Sequence, residues 1–257
     1  MRDQEAAEFN AILQRLADAR MAGIAHTHLV ESCTSTQDVC RSLTKESTRG
    51  GEYGGVLVTA LRQTAGRGRL GRTWADPAGE SVALTLSLPA RNPARLSLYA
   101  GLAVCAMAES LGVSDVGLRW PNDVMIGGRK LSGILVEVSD ECAFLGIGIN
   151  VLQSQWPQAL QDRAISLAQA GVAISRPMVL EACMRSLANV LTWQDECASA
   201  AFARFDLLRG THQRFRVGSR EIGGVVLEIS PLAELVVNAP EGIVHIPALT
   251  ASLIHES

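Results

Sequence analysis

Two apolar runs, LSGILVEVS (131–139) and AFLGIGINV (143–151), follow one another with only a tight Asp140–Glu141 turn between them. Strand-type runs this close in sequence fold back as an antiparallel hairpin, and runs this apolar need cover from other elements. The chain is therefore organised around a sheet. VLVTALR (56–62), SVALTLSL (81–88) and GLRW (117–120) supply further strands. Helical spacing of Phe9, Ile12, Leu13 and Leu16 predicts a helix over 4–20, stopped near Gly23. A second helix begins at the Ser/Thr cluster 34–36 and carries Val39 and Leu43 inward. A long apolar helix spans 94–112, and helices return over 177–195, with Pro177 in the first turn, and over 198–208. After Gly210 the texture changes to FRVGS, GGVVLEIS, ELVVN, GIVHIPA and ASLIHE, short β-type runs broken by turn residues, which predict a small barrel. The expectation is an α+β domain over 1–208, built on a mixed or antiparallel sheet flanked by helices, followed by a small β-barrel domain over 209–257.

Composition narrows the function. A formal net charge of -3 gives no general attraction to nucleic acid or anionic membranes, and 4% aromatic residues offer few stacking platforms for single strands. The polar start MRDQEAAEFN is no signal peptide, and no run is long enough to span a membrane, so a cytoplasmic setting is expected. The six cysteines form no C-x-x-C pair and no metal-type spacing with the five histidines, so no metal ligands are assigned. Only Cys40 has a basic neighbour, Arg41, and that is weak support for a catalytic thiol. Of the 23 basic residues, the only lysines are Lys45 and Lys130. Arginine and lysine are not interchangeable at close-contact sites, and Lys130 stands in a dense motif.

The first dense segment is QTAGRGRLGRTW (63–74). Gly66, Gly68 and Gly71 match the dinucleotide-binding pattern G-x-G-x-x-G, but that site needs a helix opening at the last glycine. Arg72-Thr73-Trp74-Ala75-Asp76-Pro77-Ala78-Gly79 will not make one. A strap that lies against an anion fits better, with glycines freeing the backbone, arginines reaching phosphate or carboxylate oxygens, and Trp74 offering a plane. A solvated loop or a nonspecific RNA contact is the alternative. The second segment is RWPNDVMIGGRKLSGILVE (119–137). Its Gly127–Gly128 turn brings Lys130 back towards Asn122 and Asp123, either as an anion- or ribose-binding group or as an Asn–Asp turn with an exposed lysine. GIGIN (146–150) puts two glycines and Asn150 at a strand end, as strands do where a ligand comes close. Ser35, Thr36 and Gln37 either cap the second helix or donate to a buried polar ligand.

Together, STQ (35–37), QTAGRGRLGRTW (63–74), RWPND (119–123), RKLSGILVE (129–137) and GIGIN (146–150) resemble, in order and spacing, the biotin–protein ligase family. The resemblance covers roughly residues 26–257, more weakly in the barrel. It implies a sheet of the class II synthetase and biotin-ligase type with an SH3-like C-terminal barrel. It also implies formation of biotinyl-5′-AMP from biotin and ATP with Mg²⁺, and transfer of biotin to a lysine of a biotin carboxyl carrier domain, by a monomer or homodimer. Only about 25 residues precede the match, so the DNA-binding domain of longer members, and any DNA partner, is not expected. By the same resemblance Ser35, Thr36, Gln37, Gln63, Gly66, Arg67, Gly68, Arg69, Lys130 and Gly133 hold biotin. Arg69, Arg72, Trp74, Asn122, Asp123 and Asn150 serve ATP, and Arg69 and Lys130 carry the chemistry. Leu70 stands where the family usually has a basic or polar residue, and Arg119 where it often has lysine. A lipoate or octanoate ligase is the nearest rival, then a non-catalytic biotin- or RNA-binding relative.

Overall fold

The computed structural model describes residues 2–48, 54–76, 79–90, 92–248 and 250–254. The chain opens with α1 (Arg2–Asp18), β1 (Ile24–Val30), α2 (Thr36–Thr48) and β2 (Gly55–Ala60). Two short strands, β3 (Gly66–Arg67) and β4 (Thr73–Trp74), precede β5 (Ser81–Pro89) and α3 (Pro93–Ser110). Next come β6 (Val116–Arg119), β7 (Asp123–Ile126), β8 (Arg129–Ser139), β9 (Cys142–Asn150), α4 (Arg176–Val190) and α5 (Asp195–Phe205). The last stretch is β10 (His212–Val217), β11 (Arg220–Ile229), β12 (Glu234–Ala239), β13 (Gly242–Pro247) and β14 (Ala251–Leu253).

Seven strands form one mixed sheet in the order β1-β2-β5-β9-β8-β7-β6, with only β1 and β2 parallel. The hairpin read from sequence is its β8–β9 pair, Ser139 opposite Cys142, with Asp140 taking the left-handed turn. β2 is buried along its whole length, which tells that both faces are covered. Leu57 points into the large core beneath α1, α3 and α4, whereas Val56 and Val58 point the other way and meet α2. That second cluster has only Cys40, Val56, Val58 and Phe144 fully buried, with Val39 and Leu43 packed at its rim. A large side chain buried fully contributes about 1.5–3 kcal/mol, so α2 rests on a small apolar footing and on its polar contacts.

β10–β14 form a separate five-stranded antiparallel sheet. It shares the large core, since Phe215, Val226 and Leu235 belong to it and the Phe215 ring meets Trp120 edge-on at 6.5 Å. The helices over 177–195 and 198–208 are observed as α4 and α5, displaced by a few residues. Among the described residues, no helix is long and apolar enough to cross a membrane.

Candidate active site

Strand register builds the floor of the site. Thr85, Gly146 and Leu135 lie opposite one another across β5, β9 and β8, and one step along lie Ala83, Gly148 and Gly133. These six share the face that carries α2, because Phe144, two residues before Gly146, packs beneath that helix. The sheet is thus hollowed beside the α2 N-terminus, and a cavity of about 150 Å³ opens there.

The α2 N-terminus closes one side. Ser35 Oγ accepts from the Gln37 amide at 3.3 Å, a capping contact. Thr36 donates from its amide and its hydroxyl to Gln63 Oε1, at 2.8 and 3.1 Å, and its hydroxyl lies 2.9 Å from that of Thr85. The Gln37 amide group donates to the Leu135 and Phe144 carbonyls, while its Oε1 is buried with no partner. A buried acceptor left open is costly unless a ligand N–H meets it. All five residues line the cavity.

The Gly/Arg strap forms the lid. It is a small hairpin, Gly66 opposite Trp74 and Arg67 opposite Thr73, with Gly68 donating its amide to the Arg72 carbonyl at 2.7 Å. The dinucleotide reading fails on this geometry. Its turn is a three-residue 3₁₀ segment with Leu70 at φ 56°, which cannot open a longer helix. Pro77 and Ala78 lie outside the described residues. Gly66 does not line the cavity; a Cβ there would meet the Trp74 carbonyl at 2.8 Å. Trp74 lies across the floor, where a Cβ on Gly148 would stand 2.7 Å from its indole and one on Gly133 3.3 Å away. These glycines therefore seat the indole as much as they make room for a ligand.

Three strap arginines take different tasks. Arg67 is held by both carboxylate oxygens of Asp38 at 2.8 and 2.7 Å and by Glu137 at 3.3 and 3.0 Å. Hydrogen bonds from Arg67 hold the Asp38 carboxyl below its ordinary range, against an opposing effect of desolvation. Arg67 lines the cavity, and its donors also meet the α2 and β8 carboxylates, which anchors the strap. The pairing with Asp38 and Glu137 had no sequence signal, since they lie 29 and 70 residues away. Arg69 is half-buried and donates to Asn122 Oδ1 at 3.1 Å; burial pushes its guanidinium down, partly offset by the Asp123 charge. Arg72 is exposed at the rim.

The hairpin β7–β8 supplies the fourth wall. Gly127 and Gly128 both take positive φ, the tight turn their sequence called for. It brings Lys130 Nζ to 2.6 Å from Asp123 Oδ1 and 5.9 Å from the Trp74 ring centre. Asn122, Asp123, Lys130 and Gly133 all line the cavity. Asn150 does not. Its buried amide donates to the Lys130 and Ile165 carbonyls at 3.0 and 3.1 Å, so it fixes the main chain that carries Lys130. Ala83, Leu84, Thr85, Ile134, Leu135, Ile147, Ser252 and Leu253 also line the cavity and had no individual signal. Cys40 is no candidate nucleophile: its thiol faces the Val56 carbonyl and burial pushes it up to about 12, while Arg41 turns to Glu137 at 2.8 Å.

Asp123 is the one acidic residue lining this cavity among the described residues, which contain no cluster of three or more His, Cys, Asp or Glu positioned for a metal. A cation here would need most of its oxygens from an anionic ligand, as Mg²⁺ takes them from phosphates.

A family model described as the Biotin/lipoate A/B protein ligase family matches residues 29–153. The chain is 34% identical over 206 residues to the biotin–[acetyl-CoA-carboxylase] ligase of Mycobacterium tuberculosis, covering 75% of this chain and 77% of that one. It is 32% identical to the bifunctional ligase/repressor BirA of Bacillus subtilis, covering 84% and 71%. Among solved structures, the Aquifex aeolicus biotin protein ligase in complex with biotin and ATP superposes with a TM-score of 0.76 at 28% identity, covering 91% of this chain and all of that one. The stapled strap, the glycine-floored cavity and these likenesses agree: the chain belongs to the biotin–protein ligases of the biotin/lipoate A/B protein ligase family.

Proposed function

We propose that this protein activates biotin with ATP, releasing pyrophosphate, and passes the biotinyl group from biotinyl-5′-AMP to a lysine of a carboxylase's biotin carboxyl carrier domain. The observation that carries the reading is the convergence of Arg69, Lys130 and the polar side chains Ser35, Thr36 and Gln63 on one glycine-floored cavity. Biotin's ureido head would lie among Ser35, Thr36, Gln37 and Gln63, whose side chains line this end of the cavity. The carboxylate end would then approach Lys130 and Arg69. In the first step a biotin carboxylate oxygen attacks the α-phosphorus and pyrophosphate departs. Two anions approach while charge builds on phosphate oxygens, and fixed cations in a water-poor site offset the repulsion. Arg72 and Asn122 would steer the nucleotide, with Trp74 covering the adenylate. Mg²⁺ would ride on the phosphates with Asp123 as its protein oxygen, supplying charge neutralisation. In the second step the lysine amine attacks the acyl carbon, the bond to the phosphate oxygen breaks, and AMP leaves with loss of a proton from nitrogen.

We read residues 1–208 as the catalytic unit and 209–257 as a cap that reaches it through Ser252 and Leu253. The cysteines of the described residues are free thiols, in keeping with the cytoplasm, where ATP and reduced thiols coexist. The test is exchange of labelled pyrophosphate into ATP. Exchange that depends on biotin supports the reading; exchange driven instead by lipoate or octanoate, or none, overturns it.

A further inference from the structure

A second cavity, of about 220 Å³, adjoins the first. Its wall is more apolar than polar: Pro93, Ala94 and Leu98 from the start of α3, Trp120, Val136 from β8, and Pro231, Ala248 and Ala251 from the C-terminal unit, with Ser97 adding a hydroxyl. Arg69, Pro121 and Ile134 line both cavities, so the two meet beside the guanidinium that the first step uses. A triphosphate gains little from such a wall, and Arg69 is its single charged residue among those lining it.

The second step needs something the first cavity does not provide. The nucleophile is an amine on a four-carbon stem, and a solvated lysine stays almost wholly protonated near neutral pH, since its ordinary pKa is about 10.4. No lining residue of either cavity is a free carboxylate or histidine able to take that proton: Asp123 is paired with Lys130. A passage that is mostly apolar and cationic at its inner end removes the proton by another route. Desolvation and the nearby Arg69 and Lys130 charges both disfavour the ammonium form, while the wall packs favourably on the methylenes.

We propose that the second cavity is the access channel for the acceptor lysine. Its stem lies along Ala94, Val136 and Ala248, and its neutral amine emerges beside Arg69 at the acyl carbon. There the new C–N bond forms, the C–O bond to AMP breaks, and the amine's proton leaves to the departing phosphate or to water. The inference rests on the biotin-activating reading above, and on the C-terminal sheet forming one wall of the channel.

The test fills the channel with Ala94→Phe and, separately, Val136→Phe, neither of which lines the first cavity. Three rates are compared with the parent protein: biotin-dependent pyrophosphate exchange, transfer from preformed biotinyl-5′-AMP to a biotin carboxyl carrier domain, and trapping of that adenylate by hydroxylamine, a small nucleophile that needs no channel. The expected result is exchange and hydroxylamine trapping within twofold of the parent, with carrier transfer down at least tenfold. Carrier transfer within threefold of the parent in both variants overturns the proposal. So does a loss of exchange that parallels the loss of transfer in both, because the space would then serve the first step or the fold. Absence of biotin-dependent exchange in the parent protein is a different failure, that of the underlying reading.

Discussion

Replacement of Lys130 by alanine isolates one fixed charge with little disturbance around it. The main chain at this position is held independently: the Lys130 amide donates to the Arg163 carbonyl at 2.8 Å, and its carbonyl accepts from Asn150 at 3.0 Å. The ammonium lies 2.6 Å from Asp123, whose side chain is only 13% exposed, while the lysine itself is 34% exposed. A unit charge about 4 Å from another is worth ~4 kcal/mol at an effective dielectric near 20. The partial exposure of Lys130 calls for a discount, and the Asp123 carboxylate left behind adds repulsion towards two incoming anions. The net loss in the activation step is about 2–3 kcal/mol, reaching only the lower end of the range for one preorganised donor in a fully enclosed site, or roughly 30- to 160-fold in rate. Pyrophosphate exchange at saturating biotin and ATP measures it. Lys130→Arg keeps the charge but changes its shape, and Gly133 lies so close to Nζ that a Cβ there would stand only 3.0 Å away. That variant is expected to lose at least tenfold. Exchange within threefold of the parent for Lys130→Ala would refute the electrostatic argument.

Other consequences are as concrete. Arg176, 4% exposed, pairs with Glu5 at 2.6 Å and donates to the Leu61 and Ser81 carbonyls, so Arg176→Ala leaves three groups without their partner. It should cost about 3 kcal/mol in urea unfolding; a loss below 1 kcal/mol contradicts this. Gly148→Ala puts a methyl into the Trp74 indole and should lower biotin affinity at least tenfold in calorimetry, whereas an unchanged affinity means the strap adjusts freely. Because Asp38 has its folded pKa depressed by Arg67, the strap anchor is fully present above the ordinary carboxylate range and is lost as pH falls through the depressed value. Hydrogen exchange over 66–74 should therefore stay flat from neutral pH down to about pH 4 after correction for intrinsic rates and increase below it; acceleration already at pH 6 would point to another group. Under native conditions a maleimide should spare Cys40 and Cys183, whose thiols burial pushes up to about 12, and react with exposed Cys197 without loss of exchange activity.

Local chemistry was readable from sequence wherever one residue type answered one backbone demand. Gly127–Gly128 and Asp140 forecast their turns, Pro177 its helix start, and the alternation after Gly210 its separate sheet. Helix phase was harder to judge on α2. The eye falls on Val39 and Leu43, yet Thr36, Gln37 and Cys40 are the more deeply buried, because the space beneath the helix N-terminus is polar. The site was legible as a set of strings but not as partnerships. Arg67 looked like a ligand-binding arginine, and only folding reveals that Asp38 and Glu137 meet it as well. Asn150 looked like a ligand contact, and only the register shows it behind Lys130. The contribution of Ser252 and Leu253 depends on how one sheet docks on another, which no local pattern encodes.

The floor of three glycines, Gly133, Gly146 and Gly148, bears on how such a site can change over generations. A glycine has no side chain to remove, so every substitution at these positions shrinks the chamber and none enlarges it. Selection for a bulkier acid would have to act on Thr85 or Leu135, the larger side chains in the same rows. Chemical selectivity in this fold is written in side chains that are missing, and it can be narrowed in one mutational step but widened only from the walls.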